Sequence, residues 1–468
     1  MNLELAEALK HIETLITRPA ESFVDPTQRI AEFIQRLERT RRLIEALDNP
    51  QNSLKTIHIG GTSGKGSIAI MCEAILLASG YHVGTHTSPY LQTPLEKIRV
   101  NGRFVSPKDT ISLSERIIAA VTSIRDQHPF LGQPHYTEAW VAMALQHFAD
   151  AGCEFGVIEV GMGGRYDATN ILLPEVSVIS TVHYDHVRVL GDTLAEIAQH
   201  KAGIIKPGVP TVVGNLLPEA MQVVEEEAAR TGSRLIHVGR EIRFQPDGVA
   251  ASKGYFSYQG LKLNLADVEV GLTGPHQLEN AATALGTIEV FAQTQNIQIE
   301  EVAIRRGLAG VRFAGRVEVV QHQPIVVLDG AHNEEKMAAL VATLREVFEF
   351  KRLIVVLGML EAKTATPIVE MLASIADEII TTAPTVKGKP ALTGEELAHI
   401  VRETGARRVR VGGRPREAIE QALEEAGTDD LVVVTGSLYL IGEVRPRWYD
   451  ENEIIAQGTM FPKNSLRP

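Results

Sequence analysis

The sequence predicts an α/β protein with a mainly parallel sheet in its first domain and a smaller, doubly wound (Rossmann-like) α/β domain after it. Two observations lead to this prediction. Short apolar runs of strand length alternate with longer amphipathic stretches along most of the chain, a pattern typical of strands and helices in parallel α/β folds. The length of 468 residues, with 44% hydrophobic and 22% charged residues, is enough for two to four domains with large cores.

The first domain is predicted to open with amphipathic helices at Leu3 to Ile16 and Gln28 to Leu47. Strands are then expected at Lys55 to Ile59, Tyr81 to Thr85, Phe155 to Val160, Val176 to Thr181 and Pro210 to Val213. Helical patterns separate them, for example at Tyr136 to Ala149 and Thr193 to His200. Glu241 to Val270 alternates with turn residues between short runs, which predicts inserted antiparallel hairpins, and a helix is expected at Gln277 to Gln293.

A second α/β series is predicted after residue 311. Its strands are expected at Val317 to Val320, Ile325 to Asp329, Arg352 to Leu357, Glu378 to Thr382, Arg408 to Val411 and Leu431 to Thr435. We place the domain boundary near residue 312, within GLAGVRFAGR, because its glycines favour a hinge, giving domains 1–311 and 312–468. The tail beyond Asp450 carries little periodic pattern, and we expect it to be loosely ordered.

Charge and composition argue against several classes of protein. Forty-six Lys and Arg against 58 Asp and Glu give a net charge of −12, which disfavours a nucleic-acid backbone as partner. With only Cys72 and Cys153, neither a disulfide framework nor a cysteine-rich metal site is available. The N-terminal stretch does not read as a signal peptide, and no apolar run reaches the ~18 residues of a membrane span. We expect a cytoplasmic monomer that acts on small molecules.

The sharpest local signal is the string GGTSGKGS at residues 60 to 67, between a predicted strand and a predicted helix. Glycines there allow backbone N–H groups to converge on a phosphate, and Lys65 adds a positive charge. The string departs from the Walker A pattern because Ile59 stands where the first glycine belongs and Gly66 precedes the hydroxyl of Ser67. A simple glycine turn capped by Ser67 is the alternative, and the lysine and the context favour phosphate binding.

Further polar residues follow predicted strands. Glu159 ends an apolar run, His186 lies shortly after the next strand, and Asp329 and His332 follow a strand of the second domain. Ligands collect at the carboxyl edge of open α/β sheets, so both domains are expected to face one cleft. Taken alone, each residue also has an ordinary structural interpretation: a helix cap, a satisfied histidine or an Asp-Gly turn. By the same reasoning, Lys201 is expected to be the solvated end of a helix.

An ordered series of strings resembles the folylpolyglutamate synthase/dihydrofolate synthase family of the Mur ligase superfamily. The strings are GTSGKGS at 61 to 67, HTSPYL at 86 to 91, KIRVNG at 97 to 102, EVGMGGRYDATN at 159 to 170, DH at 185 to 186, HKAGIIKPGVP at 200 to 210, ENAATAL at 279 to 285, DGAHN at 329 to 333 and GSLYLIGEV at 436 to 444. Their order and spacing span nearly 400 residues. The resemblance implies that the first domain is a P-loop ATPase domain and the second a glutamate-ligase domain.

The resemblance implies an ATP-dependent amide ligase. In that family a substrate carboxylate attacks the γ-phosphate of ATP, and the α-amine of L-glutamate captures the acyl phosphate. The implied ATP-binding residues are Gly61, Thr62, Gly64, Lys65, Gly66, Ser67, Asn280, Arg316 and Asp329. The implied ligands of two Mg²⁺ ions are Ser67, Ser88, Glu159, His186 and Lys201, the last matching a lysine that the family carbamylates. Lys65, Lys201 and His332 are the candidate catalytic residues.

Departures from the family pattern bear on the acceptor. The segments corresponding to the family's pterin-contacting regions contain His135, Tyr136, Thr137, Glu138, Tyr166, Asp167 and Ala168. Tyr90 stands where the family usually has His, Lys97 where it usually has Arg, and Thr137 where an aromatic residue is common. Loss of that ring weakens stacking on dihydropteroate, although Tyr136 could substitute. We therefore favour polyglutamylation of a folate over dihydrofolate synthesis, with both acceptors left open.

Two other enzyme classes remain as alternatives at this point. One is a P-loop ATPase or kinase, which would transfer phosphate to water or to a hydroxyl group. A ligase, in contrast, should release ADP and phosphate only when the carboxylate substrate and glutamate are both present. The other is a Mur-type ligase that joins an amino acid to a different carboxylate; the strings EVGMGGRYDATN and HKAGIIK disfavour it. A non-catalytic homologue is disfavoured because Lys65, Glu159, His186, Lys201 and Asp329 are all retained.

Overall fold

The computed structural model describes residues 3–16 and 26–463 of the chain. It has two parallel-dominated sheets, each covered by helices, and a small antiparallel sheet that belongs to the first lobe. This architecture confirms the predicted fold class. Within the described residues, none of the helices has the length and apolar character needed to cross a membrane.

The first sheet has eight strands in the order β4-β3-β2-β5-β1-β6-β7-β8. Its strands are β1 (Lys55–Gly60), β2 (Val83–His86), β3 (Ile98–Val100), β4 (Arg103–Phe104), β5 (Phe155–Glu159), β6 (Val176–Ile179), β7 (Thr211–Val213) and β8 (Leu235–His237). The six strands from β2 to β8 in that order are parallel, whereas β3 and β4 add an antiparallel edge. The predicted strands are confirmed with ends shifted by up to two residues. The sequence analysis missed β3, β4 and β8, which have only two or three residues and so little periodicity.

Ten α-helices of the described chain belong to this lobe. They are α1 (Leu3–Glu13), α2 (Pro26–Glu45), α3 (Lys65–Ala78), α4 (Pro107–Gln127), α5 (Tyr136–Asp150), α6 (Val187–Leu190), α7 (Leu194–Ala202), α8 (Pro218–Thr231), α9 (Pro275–Gln295) and α10 (Glu301–Ala309). The predicted hairpins are confirmed as an antiparallel sheet of β9 (Arg243–Ala250), β10 (Lys253–Gln259) and β11 (Asn264–Val270). Cys72 and Cys153 are buried free thiols.

The second lobe is a six-stranded sheet in the order β12-β13-β17-β14-β15-β16. Its strands are β12 (Glu318–His322), β13 (Ile325–Leu328), β14 (Leu353–Leu357), β15 (Glu378–Thr381), β16 (Val409–Val411) and β17 (Leu431–Thr435). Its helices are α11 (Glu334–Val347), α12 (Ala365–Ala373), α13 (Gly394–Glu403), α14 (Pro415–Glu425), α15 (Leu438–Val444) and α16 (Glu451–Gln457). Every residue of β14 and β17 is buried, which explains why their sequences are continuous runs of leucine and β-branched residues.

Residues 310–317 link α10 to β12 and carry the chain from one sheet to the other. We propose residue 312 as the domain boundary, because each parallel sheet lies entirely on one side of it.

The expectation of a loosely ordered tail beyond Asp450 is wrong for residues 451–463. Helix α16 buries Ile454 and Ile455, and Gly458 accepts a hydrogen bond from the backbone N–H of Phe104 in the first lobe at 2.9 Å. The fully buried Arg445 donates to the Met460 carbonyl at 2.9 Å. These are single tertiary contacts, which leave no periodic pattern in the sequence. Residues 464–468 lie outside the described part of the chain.

Candidate active site

The carboxyl edges of the two sheets face one cavity of about 220 Å³. All of the predicted nucleotide, metal and catalytic residues line it: Gly61, Thr62, Gly64, Lys65, Gly66, Ser67, Ser88, Glu159, His186, Lys201, Asn280, Arg316, Asp329 and His332. These residues come from both lobes and from the linker. The structure therefore brings the predicted phosphate loop and the predicted second-lobe residues to the same space.

The glycine loop connects β1 to α3 with its backbone held from β6. Gly64 has φ +81, and a Cβ atom there would collide with the amide oxygen of Asn280, so both backbone geometry and space require glycine. Ser180 donates a hydrogen bond to the Ser63 carbonyl at 2.5 Å and fixes the loop. Lys65 Nζ folds back onto the carbonyls of Gly61 (3.1 Å) and Thr62 (3.3 Å). The N-terminus of α3 thus presents backbone N–H groups and the ammonium group of Lys65, on its long side chain, to an anion.

Glu159 supplies a buried carboxylate at the end of β5, with 5% of its surface exposed. Its Oε2 accepts a hydrogen bond from the backbone N–H of Ser88 at 3.0 Å. Burial raises the pKa of the Glu159 carboxyl, and the nearby positive charges of Lys65 and Arg316 oppose that rise. This position suits a carboxylate that binds a cation, because a cation would offset the cost of burying the charge.

His186 lies at the start of α6 with φ +53, a backbone conformation that non-glycine residues rarely adopt. The pKa of its imidazole is lowered to about 3, mainly by the partial loss of water around the ring, of which 37% stays exposed, and further by Lys363 and Lys201, while Asp185 opposes the shift. The ring is therefore neutral at physiological pH. A neutral imidazole in a strained, cavity-lining position is suited to binding a metal ion.

Lys201 lies in the last turn of α7 and is only 2% exposed, so its interpretation as a solvated helix end is wrong. Burial, and then Lys65, lowers the pKa of its ammonium group to about 7. The sequence pattern could not show this, because the charged groups around the amine, such as Lys65, Asp185 and Lys336, come from other segments of the chain. A large fraction of the amine is thus neutral near pH 7 and able to act as a nucleophile or be modified.

Asp329 and Arg316 meet at the second-lobe side of the cavity. Both oxygens of Asp329 accept backbone N–H groups, Oδ2 from Val317 at 2.9 Å and Oδ1 from Ala331 at 2.8 Å. Burial raises the pKa of the Asp329 carboxyl, and Arg316 opposes that rise. Arg316 donates to the Gly315 carbonyl at 3.2 Å and lies over the Phe313 ring at 5.3 Å. The linker therefore directs a guanidinium into the cavity.

His332 is paired with Lys336, a residue that the sequence analysis missed. Its Nδ1 lies 2.7 Å from the Gly330 carbonyl and must carry the proton, so Nε2 can accept from Lys336 Nζ at 3.1 Å. Burial, followed by Lys336, lowers the pKa of His332 well below its ordinary value. Lys336 follows His332 by four residues at the start of α11, a spacing from which this pair could have been predicted.

A second missed feature joins the two lobes across the cavity mouth. Asp185 of the first lobe pairs with Lys363 at 2.5 Å and lies 3.8 Å from Lys336. Glu335 accepts a hydrogen bond from Ser63 at 2.7 Å and lies 3.3 Å from His183 Nε2. Burial alone would raise the pKa of Asp185, but His186, Lys363 and Lys336 hold it well below its usual range. The two lobes are thus held together by charges at the site itself.

His276 and Gln277 also line the cavity and were missed. Gln277 Oε1 accepts a hydrogen bond from Asn280 at 3.0 Å, which orients the amide packed against Gly64. Burial and Arg316 lower the pKa of His276 to about 4. The signal that could have found them is their position at the start of α9, one turn before Asn280.

The seven predicted acceptor residues lie outside the set that lines this cavity. Glu138 is fully buried and paired with Arg39 at 3.1 and 3.2 Å, and Asp167 accepts from the backbone of Met162 and Thr169. His135 precedes α5, Thr137 is exposed, Ala168 is buried, Tyr166 stacks on Phe33 at 5.6 Å, and Tyr136 lies against Lys97 at 5.0 Å. Their assignment to an acceptor stays a prediction.

The groups near the phosphate loop include oxygen and nitrogen donors that a metal ion could use. Within the described residues, no group of three or more His, Cys, Asp or Glu side chains is arranged to hold one. Glu159 and His186, with the hydroxyls of Ser67 and Ser88, line the same cavity. Mg²⁺ in nucleotide sites commonly takes one or two carboxylates together with phosphate oxygens, so this donor set fits an ion that binds with a nucleotide.

Two family models match the chain in order: the Mur ligase middle domain at residues 59–288 and the Mur ligase, glutamate ligase domain at residues 315–438. The chain is also 34% identical over 415 residues to the dihydrofolate synthase/folylpolyglutamate synthase of Bacillus subtilis, covering 88% of this chain and 94% of the relative. The chain belongs to the folylpolyglutamate synthase/dihydrofolate synthase family. The resemblance seen in the sequence is confirmed, and the chain is an ATP-dependent ligase.

Solved structures of this family share the fold closely. The Mycobacterium tuberculosis folylpolyglutamate synthase complexed with ADP matches with a TM-score of 0.86 and 31% identity over 95% of this chain and 98% of that one. The Escherichia coli FolC protein in complex with DHPP and ADP matches with a TM-score of 0.81 and 27% identity over 95% of this chain and 97% of that one.

Proposed function

We propose that this family member adds L-glutamate to the carboxylate of a folate, using ATP and an acyl phosphate. The cavity between the lobes carries the proposal, because it brings a phosphate loop, a buried carboxylate and second-lobe cations to one place. The names of the relatives support the acceptor class, and relatives solved with ADP support nucleotide binding. Within the family, both dihydropteroate and reduced folates are candidate acceptors.

The reaction balances in two steps. An acceptor carboxylate oxygen bonds to the γ-phosphorus of ATP as the bond to the β-phosphate oxygen breaks, giving ADP and an acyl phosphate. The amine of glutamate then bonds to the acyl carbon, phosphate leaves, and the amine loses a proton. Activation is needed because a free carboxylate is a poor electrophile. The chain would hold the phosphates with the N–H groups of residues 61–67, and Lys65 and Arg316 would offset charge on the transferring phosphoryl group.

His332 and Lys336 are positioned for the second step. His332 is neutral, and its Nε2 accepts a hydrogen bond from Lys336 Nζ at 3.1 Å; burial lowers the pKa of Lys336 to about 7, while Asp185 opposes the shift. A pair of this kind can receive the proton that the glutamate amine releases. The lobe contacts of Asp185 and Glu335 would exclude water from the acyl phosphate while the amine enters.

Magnesium fits the residues present. Glu159, Ser67, Ser88 and His186 would hold the ion beside the phosphates, with Lys201 contributing to a second ion if carbamylated. The bound ion would neutralise phosphate charge and polarise the γ-phosphoryl group. The carbamate is supported by the buried, low-pKa amine of Lys201, because only the neutral amine reacts with carbon dioxide. Lys201→Ala should lose activity and regain part of it with short carboxylic acids, and full activity without additive would contradict the carbamate.

The side chains around Lys97 bear on how much of the Tyr136 ring is available to stack on the pterin of an acceptor. Lys97 is buried and lies 5.7 Å from the ring centre of Tyr90, 5.0 Å from Tyr136 and 5.7 Å from Trp140. One face of Tyr136 is thus occupied by an ammonium group, and less of the ring is available to replace the aromatic residue missing at Thr137. Dihydrofolate synthesis remains the second candidate because a relative was solved with DHPP. The expectations of a monomer without nucleic acid stay predictions.

Product analysis tests the proposal. The purified protein is given ATP, Mg²⁺ and labelled glutamate with either a reduced folate or dihydropteroate, and products are identified by mass. We expect one ADP and one phosphate per glutamate added, and none when acceptor or glutamate is omitted. Phosphate release without glutamate incorporation would instead favour a P-loop ATPase or kinase.

A further inference from the structure

A second cavity adjoins the nucleotide cavity, and apart from Arg316 its lining residues have no part in the function described above. It offers about 60 Å³, room for several water molecules, and lies between the loop after β2, the linker and the C-terminal segment. Pro89, Arg316 and Leu438 line both cavities. A group bound here is thus separated from the nucleotide cavity by a single layer of side chains.

Three arginines line this second cavity, and each lies over a phenylalanine ring. Arg312 lies 3.8 Å from the ring centre of Phe461, Arg316 5.3 Å from Phe313, and Arg99 6.0 Å from Phe104. A phenylalanine ring beneath a guanidinium group fixes the plane of the guanidinium. The N–H groups at the edge of the guanidinium then remain available to a ligand. We call the cavity that these residues line the arginine–phenylalanine cavity.

The charges of this cavity favour a carboxylate. Glu96 is its one acidic lining residue within the described chain, and its oxygens already accept backbone N–H groups from Leu91, Gln92 and Thr93 at 2.7–2.8 Å. Arg99 pairs with the buried Glu73 at 3.0 Å, yet its buried Nε has no hydrogen-bond partner. Guanidinium groups bind carboxylates through paired N–H donors, so an anion here would find donors available.

The acceptor supplies such an anion. A folate ends in a glutamyl residue with two carboxylates, separated by the α-carbon and two methylene groups. If one is at the γ-phosphate of ATP, the other must lie a few bond lengths away, in a space adjoining the nucleotide cavity. Dihydropteroate has a single carboxylate and would leave that space unused.

We propose that the arginine–phenylalanine cavity binds the α-carboxylate of the acceptor's terminal glutamyl residue and so presents the side-chain carboxylate to ATP. This inference rests on the proposed function and adds to it the feature that selects a glutamyl acceptor. Arg312 is the residue to change, because it is exposed and its neighbours are the Phe461 ring and the Tyr449 hydroxyl, whereas changing Arg99 would strand the carboxylate of Glu73.

The test compares two acceptors on two proteins. Tetrahydrofolate has both carboxylates, and tetrahydropteroyl-γ-aminobutyrate lacks only the α-carboxylate. We expect the wild-type kcat/KM to be about 10- to 100-fold higher for tetrahydrofolate, the range that charge-assisted hydrogen bonds support. For Arg312→Gln the preference for tetrahydrofolate should fall at least about 3-fold below that of wild type, because one of the three guanidinium groups of the cavity is lost. Arg312→Lys should give an intermediate ratio, since the charge remains without the paired donors.

Controls separate this outcome from damage to the enzyme. Arg345→Gln, on the exposed face of α11, should keep the wild-type ratio. Melting temperature and affinity for an ATP analogue should match wild type in Arg312→Gln. An equal fall with both acceptors, a rise in the KM of glutamate alone, or a wild-type enzyme that does not distinguish the acceptors would each overturn the inference. A wild-type enzyme that uses neither acceptor would overturn the proposed function itself.

Discussion

The buried amine of Lys201 makes the stability of the metal-free protein depend on pH. Burial and Lys65 lower its pKa from 10.5 to about 7, a difference of about 3.5 units. Because the folded pKa lies below the unfolded value, the unfolded chain holds more protons between these two pH values, and stability rises with pH across that window. At 1.36 kcal/mol per unit, the cost of burying the amine is ~5 kcal/mol below pH 7, about 3 kcal/mol at pH 8 and under about 1 kcal/mol at pH 10.

Replacing Lys201 by Met removes this cost while keeping a similar length of side chain. We expect Lys201→Met to be more stable than wild type at pH 6 to 7, with the advantage shrinking by about 4 kcal/mol between pH 6 and pH 10. Urea unfolding of chelator-treated protein in carbon-dioxide-free buffers measures the difference. Lys108→Met, at an exposed position on α4, is the matched control and should track wild type at every pH. Parallel stability curves for wild type and Lys201→Met would refute the buried, low-pKa amine.

Three further predictions follow from single contacts. Gly64→Ala and Gly80→Ala both place alanine at a positive φ, and each should cost about 1–2 kcal/mol of stability. Only Gly64 faces Asn280. Calorimetry should therefore show an ATP analogue binding at least about 10-fold more weakly to Gly64→Ala alone. Arg445→Met should lower the free energy of unfolding by about 3–5 kcal/mol, because it strands Glu318 in the interior, and the Arg445→Met/Glu318→Leu double variant should recover most of that loss in urea. Lys65→Ala should abolish product formation in the mass assay, and near-normal product would contradict the phosphate-loop assignment.

The parts of the fold that local pattern determines were predictable. Strands such as β14 and β17 are continuous apolar runs because both faces of a parallel sheet are covered by helices. Such runs can be recognised in the amino-acid sequence alone. The rule that parallel strands present their carboxyl ends to one edge likewise placed Glu159 and Asp329 in a common cleft. Very short edge strands such as β4 carry too few residues for any period to be seen.

The features that were missed depend on tertiary contacts. Lys201 looks like a solvated helix end in sequence, but it is buried beside charged groups from distant segments, among them Lys65 and Lys336. The pairing of Asp185 with Lys363 joins residues 178 positions apart across two lobes. Residues 451–463 are held by contacts with Arg445 and with the first lobe. Local patterns carry no record of such pairings, so the charge network at the lobe interface could only be seen in three dimensions.

Transfer of a labelled oxygen tests most directly whether an acceptor carboxylate attacks the γ-phosphate in this cavity. The acceptor's carboxylate is labelled with ¹⁸O, the ligation is run with ATP, Mg²⁺ and glutamate, and the released phosphate is analysed by mass. An acyl phosphate requires one labelled oxygen to appear in the phosphate for every glutamate added. Phosphate that contains only unlabelled oxygen, formed at the same rate as the product, would contradict the mechanism.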